Sequence, residues 1–134
     1  MSDAQAPPFP LPDPGDPVTG PFWQHAAAGR LALPRCPACD GPLQWQPIAA
    51  TGTVFAFTVV HRPFLPQMAE VVPYVTGLVV PDEAPQVRLA TRFTGDVEAL
   101  AIGDAVTAVF AEMRFAGVDG TVTAPLFART AAPR

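Results

Sequence analysis

Apolar residues in the second half of the chain fall into five short runs, each closed by glycine, proline or acidic residues. The first, Thr51 to His61, alternates Phe55, Phe57, Val59 and His61 with Val54, Ala56, Thr58 and Val60. Both sets are mostly apolar, which predicts a strand covered on both faces for much of its length. The second run is Tyr74 to Val80, ended by Pro81-Asp82-Glu83, and the third is Gln86 to Thr94, ended by Gly95-Asp96. A brief helical turn at Val97 to Leu100 leads through Ile102-Gly103-Asp104 to the fourth, Ala105 to Arg114. Gly117-Val118-Asp119-Gly120 turns the chain into the fifth, Thr121 to Ala128. The long segment Arg62 to Pro73, with three prolines, reads as a rim loop. Five strands with a helical turn between the third and fourth is the order of an OB barrel.

The first half follows other rules. Residues 1–18 contain Pro7, Pro8, Pro10, Pro12, Pro14 and Pro17 and read as an extended arm, since proline lacks the backbone donor a helix needs. Phe9 and Leu11 are the side chains that could anchor it. A short helix follows, capped by Thr19 or Gly20, with Pro21 in its first turn and Gly29 stopping it. A helix this short does not stand alone, so Phe22 and Trp23 must pack on the chain's own barrel or on a second protein. Residues 32–47 read as two extended arms around Cys36-Pro37-Ala38-Cys39, a knuckle of the kind that opens a zinc ribbon. The expected organisation is an arm at 1–18, a helix with a degenerate ribbon at 19–50, and a barrel at 51–130, in one mainly β domain.

Composition narrows the function classes. Hydrophobic residues make up 49% of the chain, high for a small domain, and point to a buried protein–protein face. The chain has no lysine, all eight basic residues are arginines, and the net charge is −4. That balance disfavours a nucleic-acid-binding module, whose affinity comes largely from neutralised phosphates. One or two placed arginines still suffice to grip an anionic group. No apolar run reaches the length of a membrane span. Met1 to Gln5 lacks the basic flank and apolar core of a secretion signal, so a reducing, cytoplasmic location is expected.

The candidate chemistry is sparse. Cys36 and Cys39 supply two of the four ligands of a structural zinc, and neither His25 nor His61 sits at knuckle spacing. A redox pair would want a helix starting at the first cysteine, and Pro37 with Asp40-Gly41-Pro42 opposes one. His61 has no acid or nucleophile near it in sequence, so no general-base site is assigned. Arg62 and Arg92 fall near strand ends, where an OB barrel presents its ligand face, and Arg35 precedes the knuckle; each is a candidate salt link to a phosphate or a partner carboxylate. Phe64 and Leu65, beyond Arg62-Pro63, are candidate docking residues on the rim. Phe55 and Phe57 lack accompanying basic residues and are assigned to the core rather than to base stacking.

Together these residues resemble a family. Pro21-Phe22-Trp23-Gln24 through Gly29-Arg30-Leu31, Arg35-Cys36-Pro37-Ala38-Cys39, Gly52 through Arg62-Pro63, Pro73-Tyr74-Val75, Ile102-Gly103-Asp104 and Pro125-Leu126-Phe127 follow the order seen in the DUF35 family of zinc-ribbon OB-fold proteins. The resemblance covers roughly residues 21–128. It implies a helix, a rubredoxin-like ribbon and a five-stranded OB barrel. It further implies a non-catalytic accessory subunit that docks on a thiolase-fold acyl-CoA enzyme. That enzyme would be a lipid-transfer-protein-like aldolase or a thiolase of steroid side-chain or fatty-acyl breakdown. A hot-dog-fold enoyl-CoA hydratase is the alternative partner. The implied shared ligand is acyl-CoA, and Arg62, Phe64, Arg92, Phe22 and Trp23 are the candidate contacts to CoA or to the partner. The family carries two CxxC pairs, whereas here Leu43-Gln44-Trp45-Gln46-Pro47 follows the first pair directly, leaving Cys36 and Cys39 as half a zinc site.

Overall fold

The computed structural model describes residues 12, 14–36, 43–64, 66–114 and 120–130. Cys39 and the rest of the knuckle turn, Phe9 and Leu11 on the arm, Leu65, and the turn residues Gly117 to Asp119 lie outside the described residues. One helix, α1 (Gly20–Ala27), precedes seven strands: β1 (Leu31–Arg35), β2 (Gln44–Ile48), β3 (Thr51–Val60), β4 (Tyr74–Pro81), β5 (Leu89–Thr94), β6 (Ala105–Met113) and β7 (Val122–Arg129). β1 and β2 form a two-stranded antiparallel hairpin. The other five close into a barrel in the order β3-β4-β5-β7-β6, with β6 pairing back onto β3. Every pairing is antiparallel except the short parallel contact of β5 with β7, at Phe93↔Phe127 and Thr94↔Ala128. This is the five-stranded OB arrangement expected from the runs of apolar residues.

The core is built from Leu31, Val54, Val75, Val79, Phe93, Leu100, Val106 and Phe127, each nearly or wholly withdrawn from solvent. Phe22, Phe57, Leu89 and Phe110 pack against it from partly buried positions. Residues opposed across an antiparallel ladder share a face, so the register shows which side each residue takes. Val54↔Val79, Phe57↔Gly77 and Val59↔Val75 are inward pairs. Ala56↔Leu78 and Thr58↔Thr76 are outward pairs.

Val54 and Phe57 both face inward although they are three apart. The reason is a β-bulge between Val54 and Ala56, which places an extra residue, Phe55, on β3 and reverses the parity beyond it. The expected strict alternation is therefore corrected. Phe57 belongs with the core, but Phe55 is turned outward and is 47% exposed. Val59 is 43% exposed despite its inward register, so the strand's second half is not covered on both sides.

The arm also differs from expectation where it is described. Pro14 to Thr19 form turns rather than an extended segment. Thr19 occupies the N-cap position of α1, but its side chain makes no capping bond. Asp16 anchors this segment instead: its carboxylate accepts the N–H groups of Val18 at 2.7 Å and Thr19 at 2.9 Å, and its backbone carbonyl accepts that of Gly20 at 2.8 Å. These bonds to the charged form lower the Asp16 carboxyl below the usual carboxylate range. Gln24 Nε2 donates to the Pro14 carbonyl at 2.8 Å, folding the arm's end back on the helix. Gly29, at φ 75°, ends the helix, and α1 packs on β1 and β7 with Ala26 buried.

Candidate functional surface

Two clusters of polar bonds hold the barrel's attachments. At the hairpin junction, Thr51 Oγ1 donates to Asp82 Oδ2 at 2.6 Å and the Ala49 N–H donates to Glu83 Oε2 at 2.7 Å. At the β5–β6 connection, Asp104 Oδ2 accepts from the Ala101 N–H at 2.9 Å and from Arg129 Nε at 3.1 Å. Arg129 also approaches Asp96 at 3.7 Å. The expected helical turn at Val97 to Leu100 is one hydrogen-bonded turn, closed by the Leu100 N–H on the Val97 carbonyl at 3.3 Å. These groups are engaged in holding the fold.

The candidate contact residues do not gather at one place. Phe22 packs against the core and meets Trp23 edge-on, ring centroids 4.9 Å apart. Of the two possibilities for this pair, the chain's own barrel claims Phe22. Arg35 ends β1 and donates to Gln46 Oε1 across the hairpin at 3.1 Å. A cleft of about 120 Å³ runs beside it, between the hairpin and the β4–β5 connection, lined by Arg35, Gln46, Ile48, Glu83, Ala84 and Val87 among others. Arg62 and Phe64 follow β3 directly and are exposed, Phe64 at 79%. A single 3-10 turn, Pro66–Met68, shapes the segment beyond them.

Arg92 is on the outer face of β5, opposite Thr76, with its guanidinium 5.7 Å from the centre of the Tyr74 ring. Tyr74 pairs with Val60, two residues before Arg62, so Arg62, Tyr74 and Arg92 lie toward one end of the barrel. A second pair on the same outer face was not anticipated. Arg88, just before β5, lies over the ring of the bulged Phe55 at 4.4 Å. The readable signal was period two, since Arg88, Ala90 and Arg92 alternate with Val87, Leu89, Thr91 and Phe93.

The residues for metal or acid–base chemistry are spread out. Cys36 is exposed just past β1. Among the described residues, no group of three or more histidine, cysteine or acidic side chains comes together to hold a metal. A donor set of Cys36 and Cys39 falls short of the four ligands of a structural zinc. His25 Nδ1 accepts from Arg30 Nε at 3.3 Å. His61 is exposed beyond β3, with no orienting acid bonded to it among the described residues. No described helix is long and apolar enough to cross a membrane.

Comparison with known proteins agrees with this architecture. The family described as "ChsH2, C-terminal OB-fold domain" matches residues 45–111, from the second hairpin strand through most of β6. Among solved structures, the chain is similar to one titled "Ltp2-ChsH2(DUF35) aldolase", with a TM-score of 0.68 and 26% identity over 85% of this chain and 95% of that one. No curated protein matches the sequence. The family match runs from β2 into β6 and the structural match covers 85% of the chain, and so the chain belongs to the DUF35 family, through the ChsH2-type C-terminal OB-fold domain.

Proposed function

We propose that this chain is an accessory subunit that docks on a thiolase-like acyl-CoA enzyme, an aldolase or thiolase, and helps to form its acyl-CoA pocket. The observation that carries the reading is the likeness to a chain of the Ltp2-ChsH2(DUF35) aldolase over 95% of that chain's length. At 85% of this chain, the likeness extends beyond the barrel strands alone. The distribution of side chains supports the same reading. Exposed Phe64 and Arg62 and half-buried Arg92 offer contact surface, while the polar clusters at Asp82, Asp104 and Arg129 hold the fold. In this reading the partner supplies the reacting groups, and Arg62 and Arg92 offer guanidinium donors to a CoA phosphate or a partner carboxylate.

Co-expression with the thiolase-like enzyme encoded nearest this chain's gene tests it. The expected result is a stable complex by size-exclusion chromatography and acyl-CoA carbon–carbon cleavage that requires both chains. A partner fully active alone, with no co-purification, rejects the reading, as does acyl-CoA turnover by this chain in isolation.

A further inference from the structure

The outer face of β3, β4 and β5 carries two arginines set over aromatic rings. Along β5, Arg88, Ala90 and Arg92 alternate outward, so the two guanidinium-bearing positions are four residues apart, roughly 13 Å at strand rise. Each guanidinium lies over an aromatic ring, Arg88 over Phe55 and Arg92 over Tyr74. Between them runs an apolar ridge, Ala56, Leu78 and Ala90, joined side by side by the register Ala56↔Leu78 and Leu78↔Ala90. Ala90 and Phe55 are exposed.

The charge on this face is uncompensated. Among the described residues, the salt bridges are those of Arg129 with Asp96 and Asp104, and neither Arg88 nor Arg92 has a carboxylate within 4.0 Å. The nearby acids Asp82 and Glu83 are engaged at the hairpin junction. A chain of net charge −4 therefore presents two cations that, among the described residues, have no carboxylate partner and that flank an apolar ridge. Arg88 Nη1 donates to the Pro85 carbonyl at 3.0 Å and the Val87 carbonyl at 3.2 Å, which together with the ring fixes that guanidinium and leaves its other N–H groups to meet a carboxylate. Two cations this far apart do not converge on one phosphate. One face of each ring is taken by a guanidinium, and two charges are few for a nucleic-acid backbone.

We propose that this outer face is a docking surface for an acidic protein surface, one that sets carboxylates on both sides of an apolar contact. The proposal rests on the accessory-subunit reading above and assigns the face by which the subunit meets the thiolase-like enzyme. Complementary charge at such a face raises the association rate and fixes orientation, while the ridge and the Phe55 ring supply the buried contact.

The test measures binding of the full chain to that enzyme by calorimetry, at low and moderate salt, for wild type and for the double reversal R88E/R92E. A matched reversal away from the face, R30E/R114E, controls for net charge, and thermal melts confirm that every variant is folded. The expected result is that wild-type binding weakens with salt, that R88E/R92E binds at least ~10-fold more weakly, and that R30E/R114E stays within about threefold of wild type. Equal losses in both reversals, or wild-type affinity in R88E/R92E, overturn the face assignment while leaving the accessory role standing. No binding by wild type overturns both. Salt-sensitive binding of a labelled single-stranded oligonucleotide that R88E/R92E abolishes would give the face to nucleic acid and reject the proposal.

Discussion

Gly77 lies opposite Phe57, one pair beyond the bulge on β3, where the two backbones come unusually close. A Cβ there would fall 2.7 Å from Phe57 Cα and would also meet the Ala56 carbonyl. Both are backbone atoms held by the barrel, so they cannot swing away as a side chain would. Gly77→Ala is accordingly expected to cost about 3 kcal/mol by overpacking, read as a lower urea midpoint with unchanged slope. Asp16 is a residue-scale feature of another kind. Its folded pKa lies below the unfolded one, so its contribution is present above the ordinary carboxylate range and is lost as pH falls through the folded value. Carbon-detected NMR should place its midpoint below 3.8. Asp16→Ala should speed amide exchange at Val18 and Thr19 near neutrality, with the difference closing in acid.

At the scale of elements, the connection between β5 and β6 has to hold a tight turn against two strands. The Val54 N–H donates to the Asp104 carbonyl at 3.0 Å and the Gly103 N–H to the Val54 carbonyl at 2.9 Å, while Gly103 takes φ 95°. Asp104 then ties the turn to β7 through Arg129. Removing the carboxylate in Asp104→Ala leaves the Ala101 N–H and the Arg129 guanidinium without this acceptor. The expected cost is about 1–2 kcal/mol, with faster hydrogen exchange concentrated in the 101–104 turn and along the β3–β6 seam. Most elements were legible in the sequence, because glycine, proline and acidic pairs such as Gly95-Asp96 punctuate runs of β-branched residues locally. The outward turn of Phe55 was not. Its side is decided by where the pairing with β4 slips by one residue, and a partner strand about twenty positions away leaves no local mark on β3. Arg62 and Phe64 were legible as exposed because they follow a strand end. The ring pairs of Arg88 and Arg92 appear only once three strands are side by side.

For the whole molecule, the distribution of engaged and unengaged side chains decides what a substitution reads out. Phe127, Val106 and Val79 are fully buried, and changing them tests the fold. Phe64 is 79% exposed, so its ring contributes little to the isolated chain. An aromatic side chain in that position gains its main burial only against another molecule, where anchors of this kind are worth about 2 kcal/mol or more. Phe64→Ala should therefore leave the thermal midpoint within about 2 °C of wild type yet weaken assembly with the thiolase-like enzyme by at least ~10-fold, measured by calorimetry on the purified components. If the melting temperature dropped instead and affinity held, Phe64 would be packing on its own barrel, and the docking surface would have to be sought on the outer face of β3, β4 and β5 alone. Because that face and the Phe64 segment adjoin along β3, a combined F64A/R88E/R92E variant separates the two cases. Losses that add in free energy mark two independent contacts, and losses smaller than the sum mark one continuous interface.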